Sequence, residues 1–303
     1  MNAPLRLGVV GTGYWADVTH AASAVAAPSW QLSAVWGRDG AKAEALAARH
    51  GAAHAGTDFD AFLEQVDAVT FAVPPHLQAE LAVRAIEAGK HVALEKPIAL
   101  SVHDAERLVT ASAENGVASV VLFTMLYDPR VRAVIAEARA GREWTGGAGL
   151  WLGSALNDEN PFNTPWRHEK GGLWDLGPHA LSVLWTTLGP IRAVRAVAGA
   201  GDLVHLVFEH DGGRTSTASM TLRAPDPADG FSTVLWGPSG REDVTVDDVD
   251  AGAAFVLAYE ELAEQIRSGE RNHPFDVRFG RDIVGVLASA EAQLTAQTEE
   301  TSR

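Results

Sequence analysis

Three groups of residues have spacings that chemistry can use. Near the start of the chain Gly11, Gly13 and Ala16 form G-x-G-x-x-A, with Thr12, Tyr14 and Trp15 filling the turn. The first glycine of such a turn permits the bend, the second lets backbone approach a pyrophosphate, and the small third residue lets a helix pack closely on a strand. A tight strand-to-helix turn without a ligand could use the same glycines. Glu95-Lys96-Pro97 follows the apolar run His91 to Leu94. A lysine there stands at the carboxyl end of a strand, the edge where open α/β sheets bind ligands, unless it is only a solvated surface charge. Asp175 and His179 lie four apart in G-G-L-W-D-L-G-P-H-A-L. On a helix they project from one face and set a carboxylate beside a group that titrates near neutrality. The alternative is that Asp175 caps a helix starting near Pro178 and His179 is a satisfied core histidine.

The elements that must position these residues alternate in the first 120 residues. Apolar runs at Leu5 to Val10, Leu32 to Trp36, Ala68 to Val73, His91 to Leu94 and Val117 to Leu122 read as strands. Between them, Trp15 to Ala26, Ala41 to His50, Leu77 to Ala88 and a segment capped by Ser101 and closed by Gly116 read as helices. Strands apolar throughout and separated by helices imply a doubly wound parallel sheet covered on both faces. After a helix from Pro129 to Ala140 the pattern changes. Leu203 to His210 and Arg214 to Leu222 flank Asp211-Gly212-Gly213, a hairpin signal, and Phe231 to Trp236 ends in G-P-S-G. Helical spacing returns at Phe255 to Arg267 and Phe279 to Gln297. The expected architecture is therefore an N-terminal Rossmann domain, 1–122, and a C-terminal α+β domain, 123–303, with an open, mostly antiparallel sheet.

Composition narrows the function. At 303 residues with 47 % hydrophobic and 21 % charged residues, the chain suits two soluble globular domains. Its 24 Lys+Arg against 39 Asp+Glu give −15, an acidic balance without a footprint for nucleic acid or an anionic membrane. No apolar window is long enough to span a bilayer, and no secretory signal is read at the N-terminus. The absence of cysteine excludes disulfides, thiolate zinc sites and Cys nucleophiles, and favours a reducing, cytoplasmic setting. No metal-ligand spacing such as H-x-x-x-H appears, so no metal is expected.

The stretches GVVGTGYWA, AVPPHLQAELAVRAIEAGKHVALEKPIALSVHDAERL and PWRHEKGGLWDLGPHALSVL together resemble the Gfo/Idh/MocA oxidoreductases, which include glucose–fructose oxidoreductase and inositol dehydrogenase. The resemblance runs along nearly the whole chain. It implies a Rossmann domain joined to an open-sheet α/β domain, with NAD(P)-dependent oxidation or reduction, mostly of sugars and cyclic polyols. It also implies that Lys96 is the catalytic lysine of the E-K-P motif and that Asp175 and His179 are the D-x-x-x-H pair, in a cleft between domains. Nucleotide contacts are then expected from Gly11 to Ala16, from Val73, Pro74, His76 and Gln78, and from Glu95, Lys96 and Pro97. Substrate contacts are expected from Trp166-Arg167, a pair common in that family segment, while Trp151 and Trp174 divide between sugar-stacking and core roles. Two departures stand out. Gln78 occupies the place of a histidine that the family often has after the strand-ending proline, with His76 two residues earlier. Leu126 precedes Tyr127-Asp128-Pro129 where the family often has arginine, which disfavours strongly acidic substrates.

The implied chemistry moves a hydride between nicotinamide and a carbon bearing hydroxyl or carbonyl, with a proton exchanged at that oxygen. Lys96 and His179 are the two candidate proton carriers, and Asp175 would bind a substrate hydroxyl or orient the imidazole. At the end of the second strand, W-G-R-D puts Gly37 where NAD enzymes carry an acid, followed by Arg38 and, in the next helix, Lys42. That pattern predicts NADP(H) in preference to NAD(H), with Gly37 leaving room for a 2′-phosphate. Two other readings are a non-catalytic NAD(P)-binding sensor, and a reductase of a non-sugar carbonyl, imine or enone. A homo-oligomer, dimer or tetramer, is expected through the open sheet. The alternation of Ala218, Met220 and Leu222 with Thr217, Ser219 and Thr221 suggests an apolar side that needs covering.

Overall fold

The computed structural model describes residues 3–245 and 248–301. Contacts divide the chain into two compact units, Met1–Leu122 with Asp250–Asp282, and Phe123–Val249 with Ile283–Arg303. Residues 250–282, expected in the second domain, thus pack with the first. The helix Ala251–Ser268 buries Phe255, Ala258, Tyr259, Leu262 and Ala263. Its backbone and side chains are pinned from that unit: Trp30 Nε1 donates to Tyr259 O at 2.8 Å, and Ser29 Oγ to Glu260 Oε2 at 2.6 Å. Partners some 230 residues apart leave no trace in local periodicity.

In the first unit six parallel strands take the order β3-β2-β1-β4-β5-β6. They are β1 (Leu5–Val10), β2 (Trp30–Trp36), β3 (His54–Gly56), β4 (Ala68–Phe71), β5 (His91–Leu94) and β6 (Ser119–Val121). The doubly wound sheet is as the apolar runs predict, since β1, β4 and β5 are buried on both faces. Strand β3 has no apolar run and is not legible in the sequence. Strand β4 stops at Phe71, so Val73 and Pro74 lie in the loop that follows, and Pro75 opens the helix Pro75–Glu87. Asp39, Asp58 and Ser101 cap helices through their side chains, and Gly51 and Gly116 end helices in the left-handed conformation. The first helix differs from a plain α-helix: Ala16–Ala21 is a π-helical stretch, continued as α-helix over Ala22–Ala26.

The second unit holds a mixed, mostly antiparallel sheet in the order β12-β11-β7-β10-β9-β8. Its strands are β7 (Gly146–Leu152), β8 (Ile191–Ala198), β9 (Val204–His210), β10 (Thr215–Thr221), β11 (Gly230–Gly237) and β12 (Gly240–Thr245). The predicted hairpin is β9 and β10, paired with Thr215 opposite Glu209. Among the described residues of this sheet, only the β7–β10 pair is parallel. The side expected to need covering is already covered. Ala218, Met220 and Leu222 are at most 1 % exposed. They face helix Gly177–Leu188, where Met220 Sδ lies 3.6 Å from where a Cβ on Gly177 would stand. Register puts Ala148, Leu150, Thr217, Ser219, His205, Val207, Val234 and Trp236 together on the other face. Among the described residues no helix is long and apolar enough to cross a membrane.

Candidate functional site

The glycine turn sits between β1 and the first helix. Gly11 has φ +122°, and a Cβ there would stand 2.4 Å from Ala72 O, so no other residue fits without moving the β4 loop. Gly11 N donates to Trp36 O at 2.8 Å, which ties the turn to the end of β2. Gly13 is exposed, and a Cβ on it would meet nothing within 4 Å. Ala16 is fully buried against the sheet. The backbone at Gly13 is thus open to close approach while Gly11 and Ala16 are locked, the arrangement a pyrophosphate requires.

The end of β2 carries the determinants of nucleotide choice. A Cβ on Gly37 would come within 2.5 Å of Thr12 Cγ2, so Gly37 is dictated by packing against the glycine turn. The space expected for a 2′-phosphate is therefore not at Gly37 itself, which is buried. Arg38 is exposed and makes no ion pair among the described residues. Asp39 is committed as an N-cap, accepting from Lys42 N at 3.2 Å, and Lys42 Nζ stands 4.0 Å from its other oxygen.

Beyond β5 the chain turns through Glu95-Lys96-Pro97, with a cis bond before Pro97. Gln78, expected at the nucleotide, is fully buried. Its Oε1 accepts from Glu95 N at 2.8 Å, and its Nε2 donates to Glu95 O at 2.8 Å and Pro97 O at 3.2 Å. An amide enclosed on three backbone groups holds the loop, and nothing of it is left for a ligand. The Glu95 carboxylate is likewise engaged by protein. Its Oε1 faces Trp15 Nε1 at 2.7 Å and His20 Nε2 at 3.3 Å, and its Oε2 accepts from Lys96 N at 3.1 Å. Behind it Thr70 Oγ1 lies 2.8 Å from His20 Nδ1, and Tyr259 OH donates to that hydroxyl at 3.1 Å. Burial and the charge of Glu95 push the Tyr259 phenol well above its ordinary pKa, so it stays protonated. His76 is exposed in the first turn of its helix.

His20, Thr70 and Tyr259 were not singled out from the sequence. His20 did carry a signal, because it falls between Ala16 and Ala24 on the spacing of a buried helical face.

In the second unit, Pro165–Asp175 is bent at Gly171 (φ +62°) and followed by the helix Gly177–Leu188. Asp202 fixes the bend: its Oδ2 accepts from Gly172 N at 3.0 Å and Leu222 N at 2.8 Å. Leu176 is helical, so Asp175 ends one segment and His179 lies in the first turn of the next. Asp175 does not cap that helix. Its carboxylate takes a bidentate pair from Arg167, Nε to Oδ2 at 2.7 Å and Nη2 to Oδ1 at 3.2 Å. The third guanidinium nitrogen of Arg167 donates to Phe162 O and Thr164 Oγ1, and Trp166 stacks 4.6 Å from its centre. Arg167, expected on substrate, is thus spent on Asp175 and its own loop. His179 stacks parallel to Trp151 at 6.1 Å between ring centroids. Trp151 and Trp174 are core, at most 1 % exposed, and Trp166 is half-buried. Among the described residues, no group of three or more His, Asp or Glu is placed to hold a metal ion.

Residues 5–123 match the family model of the Gfo/Idh/MocA oxidoreductases, described as an oxidoreductase family with an NAD-binding Rossmann fold. An uncharacterized oxidoreductase of Synechocystis is 30 % identical over 199 residues, covering 63 % of this chain and 53 % of that one. An NADP⁺-dependent scyllo-inositol 2-dehydrogenase of Bacillus subtilis is 37 % identical over 115 residues, 37 % of this chain and 35 % of that one. The chain thus aligns with about half of the first relative's length and about a third of the second's. The crystal structure of GenD2 from gentamicin A biosynthesis, in complex with NAD, superposes with a TM-score of 0.84 at 23 % identity, covering 97 % of this chain and 95 % of that one. That likeness concerns the fold. The glycine turn and the E-K-P loop both fall within residues 5–123, and over that stretch the chain is similar to the Gfo/Idh/MocA family of NAD-binding oxidoreductases.

Proposed function

We propose that the protein transfers a hydride between a nicotinamide cofactor and a secondary alcohol, or its ketone, on a sugar or cyclic polyol. The observation that carries this reading lies in the first unit. The open backbone of Gly13 after β1 and Lys96 after β5 both stand at the carboxyl edge of one parallel sheet, the edge that binds dinucleotides. The inositol dehydrogenase among the relatives supports a cyclic polyol. The residues fit the cofactor: Gly11 and Ala16 set the turn, and residues 12–15 with the loop at Val73 and Pro74 would hold it. Bound NAD(P) supplies the hydride acceptor or donor. Lys96 Nζ and His179 are the groups that carry the hydroxyl proton. Asp175, held in one orientation by Arg167, offers its carboxylate to a substrate hydroxyl or to the imidazole. A pure sensor has no need of these three side chains. The test is a screen of inositols, sugars and simple ketones with both cofactors, following reduced-nicotinamide absorbance. Turnover of none of the polyols or sugars, with turnover of a non-sugar carbonyl, would replace this substrate class. The lack of cysteine supports a cytoplasmic setting.

NADP(H) is the preferred cofactor in this reading. Arg38 is exposed and unspent on any ion pair among the described residues, and Lys42 lies one helical turn on. Asp39, whose carboxylate would repel a 2′-phosphate there, accepts from Lys42 N and has Lys42 Nζ 4.0 Å from its other oxygen to offset its charge. An arginine–phosphate pair is charge-assisted and often bidentate. Arg38→Ala should reduce kcat/KM for NADP⁺ by about tenfold, the loss of one charged hydrogen-bonded contact, and leave NAD⁺ nearly unchanged. Equal wild-type values for the two cofactors, or a preference untouched in the variant, would place discrimination elsewhere.

The partner of the open sheet is a second copy of this chain. Leu150, Val197, Val207 and Trp236 are 43–57 % exposed on that face. Among the described residues they make up four of the nine large apolar side chains that are exposed, a patch that isolated monomers seldom leave uncovered. Light scattering should report a multiple of 32.1 kDa, and Val207→Lys with Leu150→Glu should dissociate it. A wild-type monomer at micromolar concentration would end this proposal.

A further inference from the structure

The buried polar chain behind Glu95 is more elaborate than a structural loop requires. Thr70 on β4, His20 in the π-helical stretch and Tyr259 on helix Ala251–Ser268 come from three separate elements. They meet in a region where His20, Thr70 and Tyr259 are all fully buried. Burying that many polar groups is costly unless each finds its partner. The protonated Tyr259 phenol donates to Thr70 Oγ1 at 3.1 Å, and its oxygen also lies 3.4 Å from His20 Nδ1. Thr70 Oγ1, which receives the Tyr259 proton, lies 2.8 Å from His20 Nδ1 and can give its own proton there. At the other ring nitrogen the Glu95 carboxylate oxygen, 3.3 Å away, can only accept, so the N–H lies on Nε2. Phe255 closes the pocket edge-on, 4.9 Å from the His20 ring and 5.9 Å from Trp15.

From this chain we infer that His20 is a positioning residue for Lys96, acting as a neutral Nε2–H tautomer that Tyr259 and Thr70 select. With Trp15 it clamps one oxygen of Glu95, which leaves the other oxygen to receive the Lys96 amide. The same carboxylate thereby joins the helix that follows the glycine turn to the loop that bears the lysine. The inference rests on the proposed role of Lys96, and goes beyond it in assigning a function to three residues remote from any reacting atom.

The tautomer is read directly by nitrogen-15 NMR of histidine-labelled protein. Wild type should show His20 protonated on Nε2 only, and Tyr259→Phe should lose that selection. A His20 signal protonated on Nδ1, or on both nitrogens at neutral pH, overturns the inference without any assay of activity. Kinetically, His20→Phe should lower kcat about tenfold while the dissociation constant of NADPH changes less than about twofold. His20→Gln, whose Nε2 can still donate to Glu95, should recover most of that loss. In a Lys96→Met background neither His20→Phe nor Tyr259→Phe should cost anything more, because the two residues act through one step. If Lys96→Met is inactive but His20→Phe and Tyr259→Phe retain full kcat, the positioning role is refuted and the catalytic reading survives. If Lys96→Met retains turnover, it is the catalytic reading that fails, and the NMR result still decides the tautomer. Should His20→Phe not fold, Tyr259→Phe carries the same comparison.

Discussion

Lys96→Met should lower kcat by at least about a hundredfold while NADPH binding and thermal stability stay within error of wild type. The expectation follows from what the reaction requires of a side chain. Hydride transfer at a carbinol carbon leaves an oxygen whose proton must depart or arrive in the same step, and a placed acid or base contributes about 10²–10⁴ to such a step. Methionine keeps the apolar stem of lysine and removes only the group that can carry the proton. The loop should survive the change, because its geometry is held by the Lys96 backbone amide on Glu95 and by Gln78 on the backbone of Glu95 and Pro97. The loss should therefore fall on kcat and not on the affinity for cofactor. Turnover above about a tenth of wild type would remove Lys96 from the mechanism and leave His179 as the proton carrier.

Arg167→Met should destabilise the second unit by about 3–5 kcal/mol, the cost of leaving a buried charge without its partner. The side chains of Arg167 and Asp175 are only 15 % and 7 % exposed, so water cannot replace the lost pair. The bidentate geometry and the added bonds to Phe162 O and Thr164 Oγ1 mean that four contacts vanish with one guanidinium. Denaturant unfolding monitored in the tryptophan-rich second unit should resolve the effect, with Trp151, Trp166 and Trp174 as reporters. The double variant Arg167→Met with Asp175→Leu should regain most of the stability, since apolar groups of similar size often replace a buried pair without loss. The double variant should be inactive, because the carboxylate is gone. A single variant that loses less than about 1 kcal/mol would show that Asp175 has another counter-charge or is neutral. A double variant that turns over normally would remove Asp175 from the chemistry.

Much of this protein was legible in its residue order. The doubly wound sheet, the glycine turn and the D-G-G hairpin depend on periodicity and on positions where a backbone needs glycine, and these are local properties. The roles expected of the E-K-P and D-x-x-x-H motifs came instead from their resemblance to the Gfo/Idh/MocA pattern. What the tertiary structure decided is how polar side chains were allotted once distant segments met. Gln78 could have faced a nucleotide, but enclosure beneath Glu95 and Pro97 turned it into a brace. Arg167 could have met substrate, but burial beside Asp175 made pairing obligatory. Gly37 looked like a vacancy and proved to be a contact with Thr12. Helix Ala251–Ser268 joins the first unit although it follows the second sheet in sequence, and it brings Tyr259 to Thr70 and His20. Ala218 and Met220 look like an uncovered stripe until helix Gly177–Leu188 is laid over them. A repeating pattern shows which side of an element is apolar. Which neighbour covers it, and which buried donor must then find which acceptor, is settled only when desolvation forces every enclosed polar group to take a partner.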